Sequence, residues 1–321
     1  MSSARRTVAA LCALATLAAP ALAQPKRPPP APPAAANANA GSPDLAYGAF
    51  QRGYFLTALA EATKRAQQND AAAMTLLGEI YAQGLGVGRD DVKAAQWYKR
   101  AAAHGNRDAM FALAMFNFEG RGGPRNPDEA ARMLAAAAKL GHAPAAYDLG
   151  LLYLQGQQFP QDFMRAAELF RQAADAGNAD AQYALATMYK DGRGVPKDVV
   201  EATRLMGLAS VAGNIDAMVE FAIAQFNGEG TPKDEAAAAK LLLIAARRGS
   251  PIAQDRLARI LMAGRGMSAD ATEAVKWHII AKAGGASDSL LDVFADKQTP
   301  AVRDAAEKAA NRWLSTAAPR S

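Results

Sequence analysis

AMTLLGEIYAQGLGVGRDDVKAAQWYKRAAAHG, residues 73–105, decides the fold. Ala73, Leu77, Ile80 and Gly84 share one face of a helix by the i, i+4, i+7 rule. Gly84 stands just past the last periodic residue, where a helix needs a left-handed residue to close. The loop GLGVGRD leads to Asp90, a residue type suited to cap the next helix. That helix carries Ala94, Trp97, Tyr98, Ala101 and Ala102 and ends at Gly105. The stretch predicts two helices joined by a tight loop.

The same reading recurs along the chain. Gly84, Gly120, Gly156, Gly192, Gly228 and Gly264 lie 36 residues apart. So do Gly105, Gly141, Gly177, Gly213, Gly249 and Gly285, and Ala94, Ala130, Ala166, Ala202, Ala238 and Ala274. Six units of constant length mark a solenoid, in which each unit buries its apolar face by stacking on its neighbours. We place the repeats at about 73–108, 109–144, 145–180, 181–216, 217–252 and 253–288.

Small residues recur where helices approach closely. Gly78, Ala114, Gly150, Ala186, Ala222 and Ala258 fill one slot of the first helix, and the Ala94 series is expected to face them. Asp90, Asn126, Asp162, Asp198, Asp234 and Asp270 are expected N-caps. Glu129, Glu201 and Glu273, three residues after their caps, resemble capping boxes. Residues 44–70 read as a degenerate opening helix pair. Ser287 to Phe294 starts a seventh first helix, and Thr299-Pro300 starts a closing helix that runs to about Leu314.

The beginning of the chain reads as an export signal, residues 1–23. Arg5 and Arg6 form the positive region, Val8 to Leu17 the apolar region, and Ala21-Leu22-Ala23 a cleavage site. Its removal takes away Cys12, the one cysteine, and lowers the formal charge from +5 to +3. This predicts a periplasmic chain, without stable membrane insertion after cleavage and without disulfides. Residues 24–42, QPKRPPPAPPAAANANAGS, read as a disordered Pro/Ala-rich linker, and residues 43–317 as the solenoid. The charge is mild and scattered, so nucleic acid is not an expected partner.

With these motifs in place, the chain resembles the Sel-1-like repeat family, relatives of the tetratricopeptide repeats. Its first repeat matches the family pattern A-x3-LG-x2-Y-x2-G-x-GV-x2-D-x3-A-x2-WY-x2-AA-x2-G nearly throughout. The fourth departs at Ala186, at Leu205-Met206 and at Ser210. Repeat three carries Gln158 in the second loop-glycine slot, and repeat two carries Gly123 where valine is usual, so those two loops are expected to be reshaped. The resemblance implies an all-α fold, an α-solenoid of antiparallel helix-turn-helix repeats stacked in a right-handed superhelix. It also implies a scaffold for protein–protein contacts. Exported bacterial members are similar to envelope regulators and assembly adaptors, which makes a cell-envelope protein the expected partner.

Slots 3, 7 and 10 of the first helix lie opposite its intra-repeat face and should be polar if solvated. They are instead Phe111, Met115 and Phe118 in repeat two, Tyr147, Leu151 and Leu154 in repeat three, and Val219, Ile223 and Phe226 in repeat five. Repeat four mixes Tyr183 with Thr187 and Lys190, and repeat six turns charged with Asp255, Arg259 and Met262. The apolar stripe reads as a concave groove for a polypeptide, as a set of packing faces buried between repeats, or as a self-association face.

Enzymatic readings find little support. His104, His142 and His278 do not pair at i+3 or i+4, and no H-E-x-x-H or G-x-S-x-G occurs. The GLGVG loop follows a helix, so it is not a dinucleotide cradle. A cysteine-rich branch of the family is linked to penicillin binding, which leaves a peptidoglycan-binding or cell-wall hydrolase role as the alternative. This chain lacks S-x-x-K and K-T-G. No cofactor or metal is expected.

Overall fold

Each repeat is closed by two backbone ties that return at the 36-residue step. The cap residue that starts the second helix donates its N–H back to the first helix. Asp90 donates to the Tyr81 carbonyl at 2.9 Å, Asn126 to Asn117 at 2.8 Å and Asp198 to Tyr189 at 2.9 Å. The residue that starts the next repeat is tied to the helix before it. Asn106 donates to the Ala101 carbonyl at 3.2 Å, and Asn214 to Ala209 at 2.9 Å. Buried backbone groups at the loops are thereby paired, and the loop length cannot drift.

The computed structural model describes residues 44–317, so the export segment, Cys12 and the linker lie outside the described residues. Among the described residues there are sixteen helices and no strand. The opening pair is α1 (Leu45–Gln51) and α2 (Phe55–Ala66). The repeats follow as α3 (Ala71–Gln83) with α4 (Asp91–Ala103), α5 (Arg107–Glu119) with α6 (Pro127–Lys139), and α7 (Ala143–Gln155) with α8 (Phe163–Asp175). Then come α9 (Ala179–Asp191) with α10 (Val199–Val211), α11 (Ile215–Asn227) with α12 (Glu235–Arg247), and α13 (Pro251–Ala263) with α14 (Ala271–Ala283). A short α15 (Ser289–Asp296) and a long α16 (Pro300–Ala317) close the chain. The helices fall into two compact units, one ending at Gln172 and one starting at Ala173, within α8.

In the first unit, Met74, Leu77, Tyr98 and Phe116 form the core with a bed of alanines. The Tyr98 and Phe116 rings meet edge-on at 5.3 Å. The small slot of the first helix lies directly against a ring from the second helix in two repeats. A Cβ on Gly78 would run into the Tyr98 ring, with Cδ1 at 2.6 Å, and one on Gly150 would lie 2.7 Å from Cε1 of Phe170. Where the slot holds alanine, the facing position is not a large aromatic ring but Leu134, Met206, Leu242 or His278. Side chains on a helix lean over the preceding turn, so the ring reaches a level that an alanine cannot.

The second unit is built around Leu242, Leu257, Trp277, Ile280 and Leu291. Helix α16 packs on α14, and Trp313 meets Trp277 edge-to-face at 6.0 Å. The apolar end of the array is thus covered, as a solenoid requires.

Loops lock one repeat to the next through a second glycine. Gly122 has φ +70°, and a Cβ there would strike the Asp91 carbonyl and come within 2.8 Å of Cβ of Ala95. Gly230 and Gly266 sit the same way on Val199 and Glu235 in the second unit. Gln158 holds this slot in repeat three without positive φ, because a side chain there would be strained, so that loop follows a different path. In repeat two, Gly123 faces open space and Gly122 keeps the usual seat.

The expected caps are in place. Asp90, Asn126, Asp162, Asp198, Asp234 and Asp270 each accept an N–H three residues on. The glutamate half of the capping box is not used at Glu129 or Glu273. The cap N–H it would reach already donates to the first helix. Glu129 therefore accepts from Arg132, and Glu273 from Lys276 and the Trp277 indole.

Candidate functional site

In the first unit, α5 carries Phe111, Met115 and Phe118, and α7 carries Tyr147, Leu151 and Leu154, all six half-buried. Phe111 lies against the His142 ring with centroids 4.7 Å apart. Tyr147 leans on the fully buried ring of Phe170 at 5.7 Å. These side chains have one edge on a neighbour and one in solvent.

His142 also starts α7. Its Nδ1 accepts the Ala145 N–H at 3.1 Å, and its Nε2 is 3.4 Å from Oδ1 of Asp108. The ring is therefore neutral, with its proton on Nε2. Burial pushes its pKa below the usual 6.5, with Asp108 opposing and Arg107 assisting. A protonated Nδ1 would point a donor at a donor and remove the cap. Because the folded value is depressed, the contribution is complete above about 6.5 and is lost as pH falls through the folded value. We expect His142→Asn, the residue used in this slot at 106, 178 and 214, to keep the cap and flatten the fall in melting temperature between pH 7 and 5. An unchanged slope in melts across that range would contradict the assignment. His142→Ala should cost about 0.5–2 kcal/mol at neutral pH.

In the second unit, α9 carries Tyr183, half-buried, its phenol pKa pushed up by burial and by Glu220 and Asp216. Val219 on α11 is only 4% exposed and belongs to the core. Ile223 and Phe226 are half-buried. Of the ten stripe residues, nine thus keep a partly open edge.

Ile223 and Phe226 form one wall of a cleft of about 340 Å³. Ile260, Met262 and Leu290 add apolar surface, and Arg256, Arg259 and Arg265 line it as well. The Arg265 guanidinium lies 4.4 Å from the Phe226 ring centroid and pairs with Glu235. Arg265 and Lys233 together hold the Glu235 carboxyl down at about 2. Arg259 pairs with Asp288, which also caps α15 through the Leu290 N–H at 2.9 Å. Burial raises the Asp288 pKa, but Arg259 and the backbone donors outweigh it and hold the group below its usual range. Asp255, 3.8 Å from Arg259, is shifted the other way, by burial and by Asp288.

Sequence reasoning missed Arg256, Arg265 and Leu290, which lie outside the three slots it followed. A signal was present for Arg265. It stands 144 residues after Arg121, four whole repeats. Arg121 pairs at 2.6 Å with Asp91, which lies the same 144 residues before Glu235, though its ring partner, Phe116, is not the equivalent of Phe226. The histidines are dispersed. His104 ends α4, His142 caps α7, and His278 is buried and 2.9 Å from Asp292. Among the described residues no three His, Cys, Asp or Glu side chains gather where a metal ion could sit. No helix of the described residues is long and apolar enough to cross a membrane.

A family profile, the Sel1 repeat, matches residues 71–106, 107–142, 143–178, 179–214, 215–250 and 251–285. The chain is similar to a Sel1 repeat protein from Oxalobacter formigenes at 28% identity and TM-score 0.66, covering 74% of this chain and 98% of that one. It is also similar to a protective antigen of uropathogenic Escherichia coli strains that displays an SLR fold. Identity there is 25% and the TM-score 0.57, over 83% of this chain. The chain spans 65% of that antigen's length. No curated protein matches the chain significantly. Sel1 repeats generally serve as scaffolds for protein–protein interaction. Six in-register matches over helix pairs of this geometry establish that the chain belongs to the Sel1 repeat family.

Proposed function

We propose that this chain is an exported, non-enzymatic scaffold that holds or restrains another protein of the cell envelope. The contact surface is the first-helix face carrying Phe111, Met115, Phe118, Tyr147, Leu151 and Leu154 in the first unit, and Tyr183, Ile223 and Phe226 in the second. The observation that carries this reading is the recurrence of apolar and aromatic side chains at the same three slots of successive first helices, each with an edge left open to solvent. A purely internal packing role would close such edges, and a purely solvated face would be polar. The export reading rests on Arg5, Arg6, the apolar run Val8 to Leu17 and Ala21-Leu22-Ala23.

Photoreactive side chains at positions 115 and 151, tested in cells, examine this directly. Discrete protein adducts are expected at both, and not at position 211, where Val211 is 90% exposed on a second helix. The same adducts at all three positions, or none at 115 and 151, would contradict the proposal.

A further inference from the structure

We infer that the cleft between α11, α13 and α15 binds an acidic segment of a protein partner, anchored by apolar side chains. This rests on the scaffold reading and adds to it a place and a chemistry. The charged groups lining the cleft are all arginines. Arg256 is exposed and makes no ion pair with any described residue. Arg259, three residues on, shares its helix face. Both carboxylate contacts of Arg259 run through Nε, so its Nη1 and Nη2 groups are left to a ligand. Two guanidinium forks one helical turn apart suit one bridging carboxylate or two successive acidic residues.

The apolar part of the cleft sets the rest of the chemistry. Ile223, Phe226, Ile260, Met262 and Leu290 supply a floor, and about 340 Å³ is enough for a few side chains but not for a packed helix. A leucine or phenylalanine beside an aspartate or glutamate meets both demands. The chain's own residues 24–42 do not, since they carry Lys26 and Arg27 and no acid.

The test is selection of random displayed twelve-residue peptides on the full purified chain, followed by binding measurements on the winners. Expected winners are rich in Asp and Glu next to Leu, Ile or Phe, and bind more weakly as salt rises. Arg256→Glu should lower their affinity at least about tenfold, or about 1.4 kcal/mol. That side chain is exposed and forms no ion pair, and its electrostatic neighbour among the described residues is Asp255. Arg256→Gln should therefore weaken binding in the same direction while the thermal melt stays within a few degrees of the parent's.

Winners without acidic bias, affinities unmoved by Arg256→Glu, or no winners at all would overturn the inference. The failures of the two readings are distinguishable. Peptides lost on Met115→Glu but indifferent to Arg256→Glu would remove the cleft and keep the scaffold. An absence of adducts at positions 115 and 151 in cells would remove the scaffold itself.

Discussion

Gly150→Ala should destabilise the first unit, and Phe170→Leu should restore most of the loss in the double variant. The added methyl would lie 2.7 Å from Cε1 and 2.8 Å from Cδ1 of Phe170, closer than carbon atoms approach. Phe170 is fully buried and cannot swing aside. Overpacking of this kind costs about 1–3 kcal/mol. Replacing a helical glycine by alanine gains about 1 kcal/mol in propensity, which offsets part of the cost. The clash should win, giving a net loss of up to about 2 kcal/mol. Phe170→Leu alone leaves a cavity and also destabilises.

Together the two changes reproduce the alanine–leucine pair that repeats two and five already use, Ala114 with Leu134 and Ala222 with Leu242. A double-mutant cycle by thermal or denaturant unfolding should therefore show a favourable coupling above about 1 kcal/mol. Additive losses, or a Gly150→Ala variant more stable than the parent, would show that ring and glycine are not matched.

That pairing illustrates what could be read before the fold was known. The 36-residue step, the C-terminal glycines and the Asp90 series placed the helices, because caps and left-handed closures are local demands met by local residue types. The Tyr98 and Phe170 rings escaped notice as partners of Gly78 and Gly150. That contact depends on side-chain direction between two helices, which spacing alone does not report. The caps of the first helices, Asp70, Asn106, His142, Asn178, Asn214 and Ser250, carried the same periodic signal and were passed over because their identities vary. At the candidate site, Ile223 and Phe226 were legible from helical slots. Arg256 and Leu290 were not, since a cleft collects residues from three helices and respects no single period. Val219 shares the slot of Phe111 and Tyr147, yet it is small enough to sink into the core.

The solenoid consists of modules of fixed length whose backbone ties are interchangeable, and excision of one module tests this most directly. Removing residues 107–142 joins Asn106 to Ala143, so an asparagine cap replaces His142 at the start of α7. The ring of Tyr98 then meets Leu152 where it met Phe116, the backbone ties keep their partners, and Gln157 and Gln158 replace Arg121 and Gly122 beside Asp91. The shortened chain should keep the parent's helicity per residue by circular dichroism. Loss of one interface should lower its melting temperature by no more than about 5–10 °C. Removing residues 107–136 instead leaves the end of α6 out of phase and should abolish the cooperative melt. Equal collapse of both deletions, or equal survival of both, would contradict the account.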